Sequence, residues 1–208
     1  YVTSGIANTV SAFAVSPSGR LSLINVLDGG ASPRGLALHP TAGYLYVAGS
    51  GSSNSIATFG ISDGGALIAM GTVSAGSSPW SIAIDPAGQY LYAANFGSHD
   101  VSRYAIGDGG GLTELGPGAA IAGGAAPRAV AIHPSGRFLY TANSGTDDVT
   151  TFGLDAGALS PIGTSAAGDE LMSYVRALAE LLEGSVAATR PMVDEGRLPK
   201  DRLVGQTG

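Results

Sequence analysis

The chain has 208 residues, 44% of them apolar, so it is long enough to bury a core, and its lack of cysteine excludes disulfides, thiol catalysis and Cys-held metals. The net charge is −6 and the 10 Lys and Arg residues are scattered, so the basic stripe that nucleic acid requires is missing. No apolar run approaches the roughly twenty residues of a membrane-spanning helix, and glycine-rich, charge-poor composition without a collagen period points to short strands joined by tight turns.

The chain opens on Tyr1 with no Met and no apolar leader, the pattern of a mature form or a fragment. Tyr1-Val-Thr-Ser-Gly5 aligns with Tyr46-Val-Ala-Gly-Ser50, Tyr92-Ala-Ala-Asn-Phe96 and Tyr140-Thr-Ala-Asn-Ser144, so the chain starts inside a repeat whose first strand is absent. Three stretches then line up: Pro33-Arg-Gly-Leu-Ala-Leu-His-Pro40, Pro79-Trp-Ser-Ile-Ala-Ile-Asp-Pro86 and Pro127-Arg-Ala-Val-Ala-Ile-His-Pro134. Their spacing lies in the window of propeller blades. In the unit from 33, alternating apolar positions predict strands at 35–39, 44–48, 55–61 and 66–73. Pro-Thr-Ala-Gly at 40, Pro-Ala-Gly at 86 and Pro-Ser-Gly at 134 turn the first strand into the second. Asp63-Gly-Gly, Asp108-Gly-Gly and Asp155-Ala-Gly close the third strand onto the fourth as hairpins. Four antiparallel strands per repeat make a β-propeller blade. The expected organisation is all-β over 1–165, with blades at 1–32 (partial), 33–78, 79–126 and 127–165. About four blades form an incomplete ring, whose open edges call for self-association or for a partner that completes it.

The position after each repeat's first Pro holds Arg34, Trp80 and Arg128. Side chains there would surround one mouth of the central channel, where two guanidinium forks beside an aromatic face suit an anionic, carboxylate-bearing small molecule. The competing reading has both arginines capping backbone carbonyls of neighbouring blades. His39 and His133 share the repeat position of Asp85, just before Pro, and are read as turn-forming groups. His99 is read as a solvated rim residue, and Asn95 and Asn143 as left-handed turn residues. No spaced oxygen-ligand motif appears, so no metal site is expected.

These units, above all Pro134-Ser-Gly-Arg-Phe-Leu-Tyr-Thr-Ala-Asn-Ser-Gly-Thr-Asp-Asp-Val149, resemble the YVTN and lactonase-like seven-bladed propellers. That superfamily mixes lactonases with binding and surface-layer proteins, so the resemblance implies a fold more than an activity, and an extracellular or cell-surface setting. It also implies His after the corresponding Pro in lactonase-type members, where this chain has Arg or Trp.

From Gly168 the pattern changes. Leu171, Val175, Leu178 and Leu182 recur at helical spacing, and Gly184 stops the run, predicting an amphipathic helix over 169–183. A short strand at 185–189 follows, giving a short α/β C-terminal tail over 166–208. The helix, Val186-Ala-Ala-Thr-Arg-Pro191 and Leu203-Val-Gly-Gln-Thr-Gly208 resemble a fragment of the flavin-binding domain of the electron transfer flavoprotein α subunit, a cytoplasmic association. The resemblance implies FAD contacts at Thr189 and a flavin-phosphate loop at Val204, Gly205, Gln206 and Thr207, with Leu203 replacing the usual Gln. So short a piece cannot enclose a flavin, so no cofactor is expected unless the tail belongs to a complete flavin domain. The sequence thus reads as a non-enzymatic propeller scaffold or binding module, a fragment or chimera. The alternatives are a lactonase-like hydrolase of an anionic sugar lactone and an electron-transfer flavoprotein component.

Overall fold

A computed structural model describes residues 1–120 and 125–166. The chain divides into two compact units, Tyr1–Ala167 and Gly168–Gly208. The second unit, with the predicted helix, the strand at 185–189, Thr189 and residues 204–207, lies outside the described residues.

The described residues are strands and turns only, arranged as four antiparallel sheets in chain order. Blade one is β1 (Val2–Ser4), β2 (Thr9–Val15) and β3 (Leu21–Asp28). Blade two is β4 (Pro33–Leu38), β5 (Tyr44–Gly49), β6 (Ser55–Ile61) and β7 (Leu67–Ser74). Blade three is β8 (Pro79–Ile84), β9 (Tyr90–Asn95), β10 (Asp100–Ile106), β11 (Leu112–Glu114) and β12 (Ala119–Ala120). Blade four is β13 (Pro127–Ile132), β14 (Phe138–Asn143), β15 (Asp148–Asp155) and β16 (Ala158–Ala166). The three strands of blade one are equivalent to the second, third and fourth of the other blades, as the alignment of Tyr1 with Tyr46 requires, and each full blade runs in meander order.

Blade three departs from the expected single outer strand. Both β11 and β12 pair with β10, interrupted where Gly116 takes a positive φ of 86° and Pro117 has no N–H to give the ladder. The Arg103 guanidinium bridges the gap, donating to the Leu115 carbonyl at 3.0 Å and the Pro117 carbonyl at 3.4 Å.

Three apolar clusters sit between successive blades, because the second strands of blades two and three are buried on both faces. Leu45 and Val47 of β5 pack with Val10 and Ala12 of blade one, while Tyr46 and Ala48 of the same strand pack with Ile82, Leu91 and Ala93 of blade three. Tyr92, Ala94 and Val101 repeat the arrangement against Val130, Leu139 and Phe152 of blade four. Two of the buried tyrosines carry the hydroxyl to a polar partner: Tyr46 donates to the Gly110 carbonyl at 2.9 Å and Tyr104 to the Ser74 carbonyl at 2.8 Å. Tyr1 does the same to the Gly65 carbonyl at 3.1 Å.

Candidate functional site

The first strand of blades two, three and four begins with the same irregularity. In β8, Pro79 faces Asn95 and Ser81 faces Ala94, so Trp80 is an extra residue without a ladder partner. In β13, Pro127 faces Asn143 and Ala129 faces Ala142, which leaves Arg128 extra; β4 breaks register between Pro33 and Leu36, around Arg34. A β-bulge re-aims its side chain out of the pleat. The preceding prolines are buried and hold the entry fixed, so three bulges in adjacent blades present residues 34, 80 and 128 together.

They meet. The Arg34 guanidinium carbon lies 4.0 Å from the Trp80 ring centroid and that of Arg128 lies 4.9 Å from it. Arg128 is also 5.3 Å from the Phe96 ring, and Phe96 packs on Trp80 with centroids 4.7 Å apart. Strand β8 lies between β4 and β13, so the two cations converge on one indole from the blades on either side. Both arginines are exposed and Trp80 is half-buried. Cation–π attraction holds each guanidinium plane while leaving its N–H groups available. The Arg34 guanidinium donates from its Nε to Ser50 Oγ at 2.8 Å, and Ser50 Oγ donates in turn to the Ser32 carbonyl. Stacking on Trp80, not capping of neighbouring carbonyls, is therefore how these arginines are held.

The histidines are committed elsewhere. His39 Nδ1 accepts from the Thr41 and Ala42 N–H groups, which puts the proton on Nε2, and Nε2 donates to the Gly88 carbonyl of blade three at 2.9 Å. His133 Nδ1 accepts from the Ser135 N–H at 3.1 Å, and Asp85 accepts from the Gln89 and Tyr90 N–H groups at 2.7 and 2.6 Å. All three close the turn after the first strand, the role read from the sequence.

His99 overturns its expected place in solvent. It is half-buried at a positive φ of 58°, and its Nδ1 accepts from the N–H of Ala126, in the next blade's approach, at 2.9 Å. Asn8 does the same to the Ser32 N–H at 2.9 Å and Asn54 to the Ser78 N–H at 2.8 Å. Both acceptor and donor residues take positive φ at all three junctions. The sequence signal was available: Asn8, Asn54, His99 and Asp147 occupy one repeat position. Asn95 and Asn143 are corrected too. They end strands and are buried, and their Nδ2 atoms donate to Asp100 and Asp148 at 2.6 Å and to Ser102 and Thr150 at 2.8 Å. Buried polar pairing, not a left-handed turn, explains them.

Four radially neighbouring antiparallel blades with their first strands side by side define a β-propeller. Residues 1–119 match the family described as "Lactonase, 7-bladed beta-propeller", and the chain belongs to it. Among solved structures, a protein from Lactobacillus plantarum is 27% identical with a TM-score of 0.69, over 76% of this chain and 49% of that one. A candidate 6-phosphogluconolactonase of Bacteroides fragilis is 26% identical with a TM-score of 0.67, over 76% and 50%. The periplasmic gluconolactonase of Pseudomonas aeruginosa shares the fold at 22% identity and a TM-score of 0.63, over 76% and 49%. The chain spans about half the length of these structures. No curated protein matches it.

Residues 155–208 match the family described as "Electron transfer flavoprotein FAD-binding domain". The described start of that match is not separate from the propeller: Asp155 pairs with Ala158 in the blade-four hairpin, and β16 pairs along β15 with one register shift between Thr151 and Phe152.

Proposed function

We propose that this chain supplies part of a lactone hydrolase acting on an anionic sugar lactone, with Arg34 and Arg128 as the anion-binding pair and Trp80 as the surface that holds them. The observation that carries this reading is the convergence of two guanidiniums on one indole, at 4.0 and 4.9 Å, from bulges on three adjacent first strands. Kinship with the lactonase family and with a candidate 6-phosphogluconolactonase supports it over the scaffold expected from sequence alone. Chemically, an Arg pair can take a carboxylate or phosphate in fork geometry, and it can stabilise the negative charge that grows on a lactone carbonyl oxygen when water attacks.

One observation favours binding without turnover as the second reading. His39, His99 and His133 each commit Nδ1 to a backbone N–H, so the contacts described for them are structural. Calorimetric titration with gluconate and 6-phosphogluconate, beside hydrolysis of the corresponding lactones, separates the two. Single Arg34→Ala and Arg128→Ala substitutions are expected to weaken anion binding about tenfold each, roughly 1.4 kcal/mol. Binding without lactone turnover would select the binding module. Unchanged binding in the double variant would remove the site.

For the tail, the flavin resemblance rests on residues outside the described ones. Retention of flavin absorbance by the chain after incubation with FAD and desalting would establish a cofactor role for Thr189 and residues 204–207; a colourless protein is the expected result.

A further inference from the structure

A bulge residue is left out of its own ladder, so its aim is set by what stands beside it. Each first strand opens with its Pro opposite the last residue of the second strand: Pro33 faces Gly49, Pro79 faces Asn95 and Pro127 faces Asn143. One step further on, each bulge residue is matched to the residue that follows the second strand. That residue is Ser50 for Arg34, Phe96 for Trp80 and Ser144 for Arg128, at the same interval in all three blades.

The matched residues are tied to the blade junctions through the backbone. The Ser50 N–H donates to the Ser32 carbonyl at 3.1 Å, that of Phe96 to the Ser78 carbonyl at 2.9 Å and that of Ser144 to the Ala126 carbonyl at 3.2 Å. Ser32, Ser78 and Ala126 are the left-handed residues whose own N–H groups are captured by Asn8, Asn54 and His99 of the preceding blade. A line of hydrogen bonds therefore runs from each junction to the neighbour of a bulge.

The side chains of the matched residues differ, and with them the support of the two arginines. Ser50, half-buried, accepts from Arg34 Nε at 2.8 Å and passes its own proton to the Ser32 carbonyl at 3.1 Å. A hydroxyl held at the carbonyl end in this way keeps its lone pair turned to the guanidinium. Ser144 Oγ also donates to its carbonyl, that of Ala126, at 3.0 Å. Arg128, however, leans toward blade three, with its guanidinium carbon 4.9 Å from the Trp80 ring and 5.3 Å from the Phe96 ring.

We infer that Ser50 is a positioning residue for the anion site: it pins Nε of Arg34 so that the guanidinium lies over Trp80 with its two terminal nitrogens, Nη1 and Nη2, presented as the gripping edge. Arg128 takes its support from Phe96 and Trp80 instead of from Ser144. An arginine already fixed at Nε and over a ring loses less freedom on gripping a ligand than one on a free stem, so the hydroxyl raises affinity without touching the anion. The effect on affinity rests on the anion-binding role proposed above; the hold of Ser50 on Arg34 does not.

Trp80 is the only tryptophan of the chain, so its emission reports on the guanidinium above it with no ligand present. In the full chain, Ser50→Ala should shift that emission in the same direction as Arg34→Ala and weaken gluconate binding about fivefold by calorimetry. Ser50→Thr keeps the hydroxyl and should restore both readings. In an Arg34→Ala background, Ser50→Ala should weaken binding no further, because a residue acting through Arg34 has nothing left to position. Ser144→Ala should hold parental emission and an affinity within about twofold of the parent. Independent losses from Ser50→Ala and Arg34→Ala, a Ser50→Ala chain with parental emission, or equal weakening by Ser144→Ala would each overturn the assignment. A parent chain that binds no gluconate would remove the proposed function, and the emission of Ser50→Ala would then decide the role of Ser50 alone.

Discussion

At the scale of single residues, each of the three blade junctions shares a hydrogen bond in which a left-handed residue's side chain captures the N–H of another left-handed residue 24 to 27 positions on. Positive φ suits Asn and, less often, His, whose side chains can also accept, so conformation and bonding select the same residue types. His99→Ala keeps the strained backbone and leaves the buried Ala126 N–H without an acceptor. The expected loss is about 1–3 kcal/mol in urea denaturation. His99→Asn should restore most of it, because Asn fills this position at the other two junctions. Equal loss in both variants would show that the ring itself, not the acceptor atom, matters. Reading blades one at a time could not reveal this contact, since each half looks like an ordinary loop. Only superposing the four equivalents, Asn8, Asn54, His99 and Asp147, exposes a shared acceptor.

At the scale of elements, strand positions were legible because alternation and turn chemistry are local properties. The expected 44–48 and 55–61 became Tyr44–Gly49 and Ser55–Ile61, and the Gly turns fell at Gly65, Gly110 and Gly157 with positive φ. The split of the outer strand at Gly116-Pro117 was equally local, and its signal is the missing N–H of Pro117. What sequence could not give is the bulge, because register depends on a partner strand. Gly35 shows what the bulge requires. A Cβ there would lie 2.8 Å from Ser81 Cα and 3.0 Å from the Trp80 carbonyl oxygen, backbone that cannot turn aside. Gly35→Ala should push β4 from β8, destabilise the protein by about 1–3 kcal/mol, and loosen Arg34 from Trp80. Calorimetric anion titration should then show weakening close to that of Arg34→Ala. A variant that melts normally and binds normally would mean that the first strands need not approach so closely.

At the scale of the whole molecule, cohesion between blades depends on tyrosines that must stay neutral. Burial pushes the phenols of Tyr46, Tyr92 and Tyr104 up from the ordinary tyrosine value of 10.0 to about 12. Each sits in a cluster joining two blades, with no more than 1% of its surface exposed, so an ionised phenolate would have to form inside an apolar junction. In the unfolded chain the same groups ionise near 10, while the folded protein still holds their protons. The native state therefore binds more protons than the unfolded state between pH 10 and 12, and stability falls as pH rises through that window. Below pH 10 the contribution is fully present. Each tyrosine contributes on the order of 2 kcal/mol across the window, and three together approach the net stability of a domain this size. Cooperative alkaline unfolding is expected within that window, with phenolate absorbance rising together with loss of β-sheet circular dichroism. Tyr46→Phe removes one titrating group along with its hydrogen bond to Gly110, so it should lower stability at neutral pH by about 1 kcal/mol while flattening the alkaline slope. Phenolate absorbance that rises well before the sheet signal falls would mean that the junctions open to solvent without unfolding.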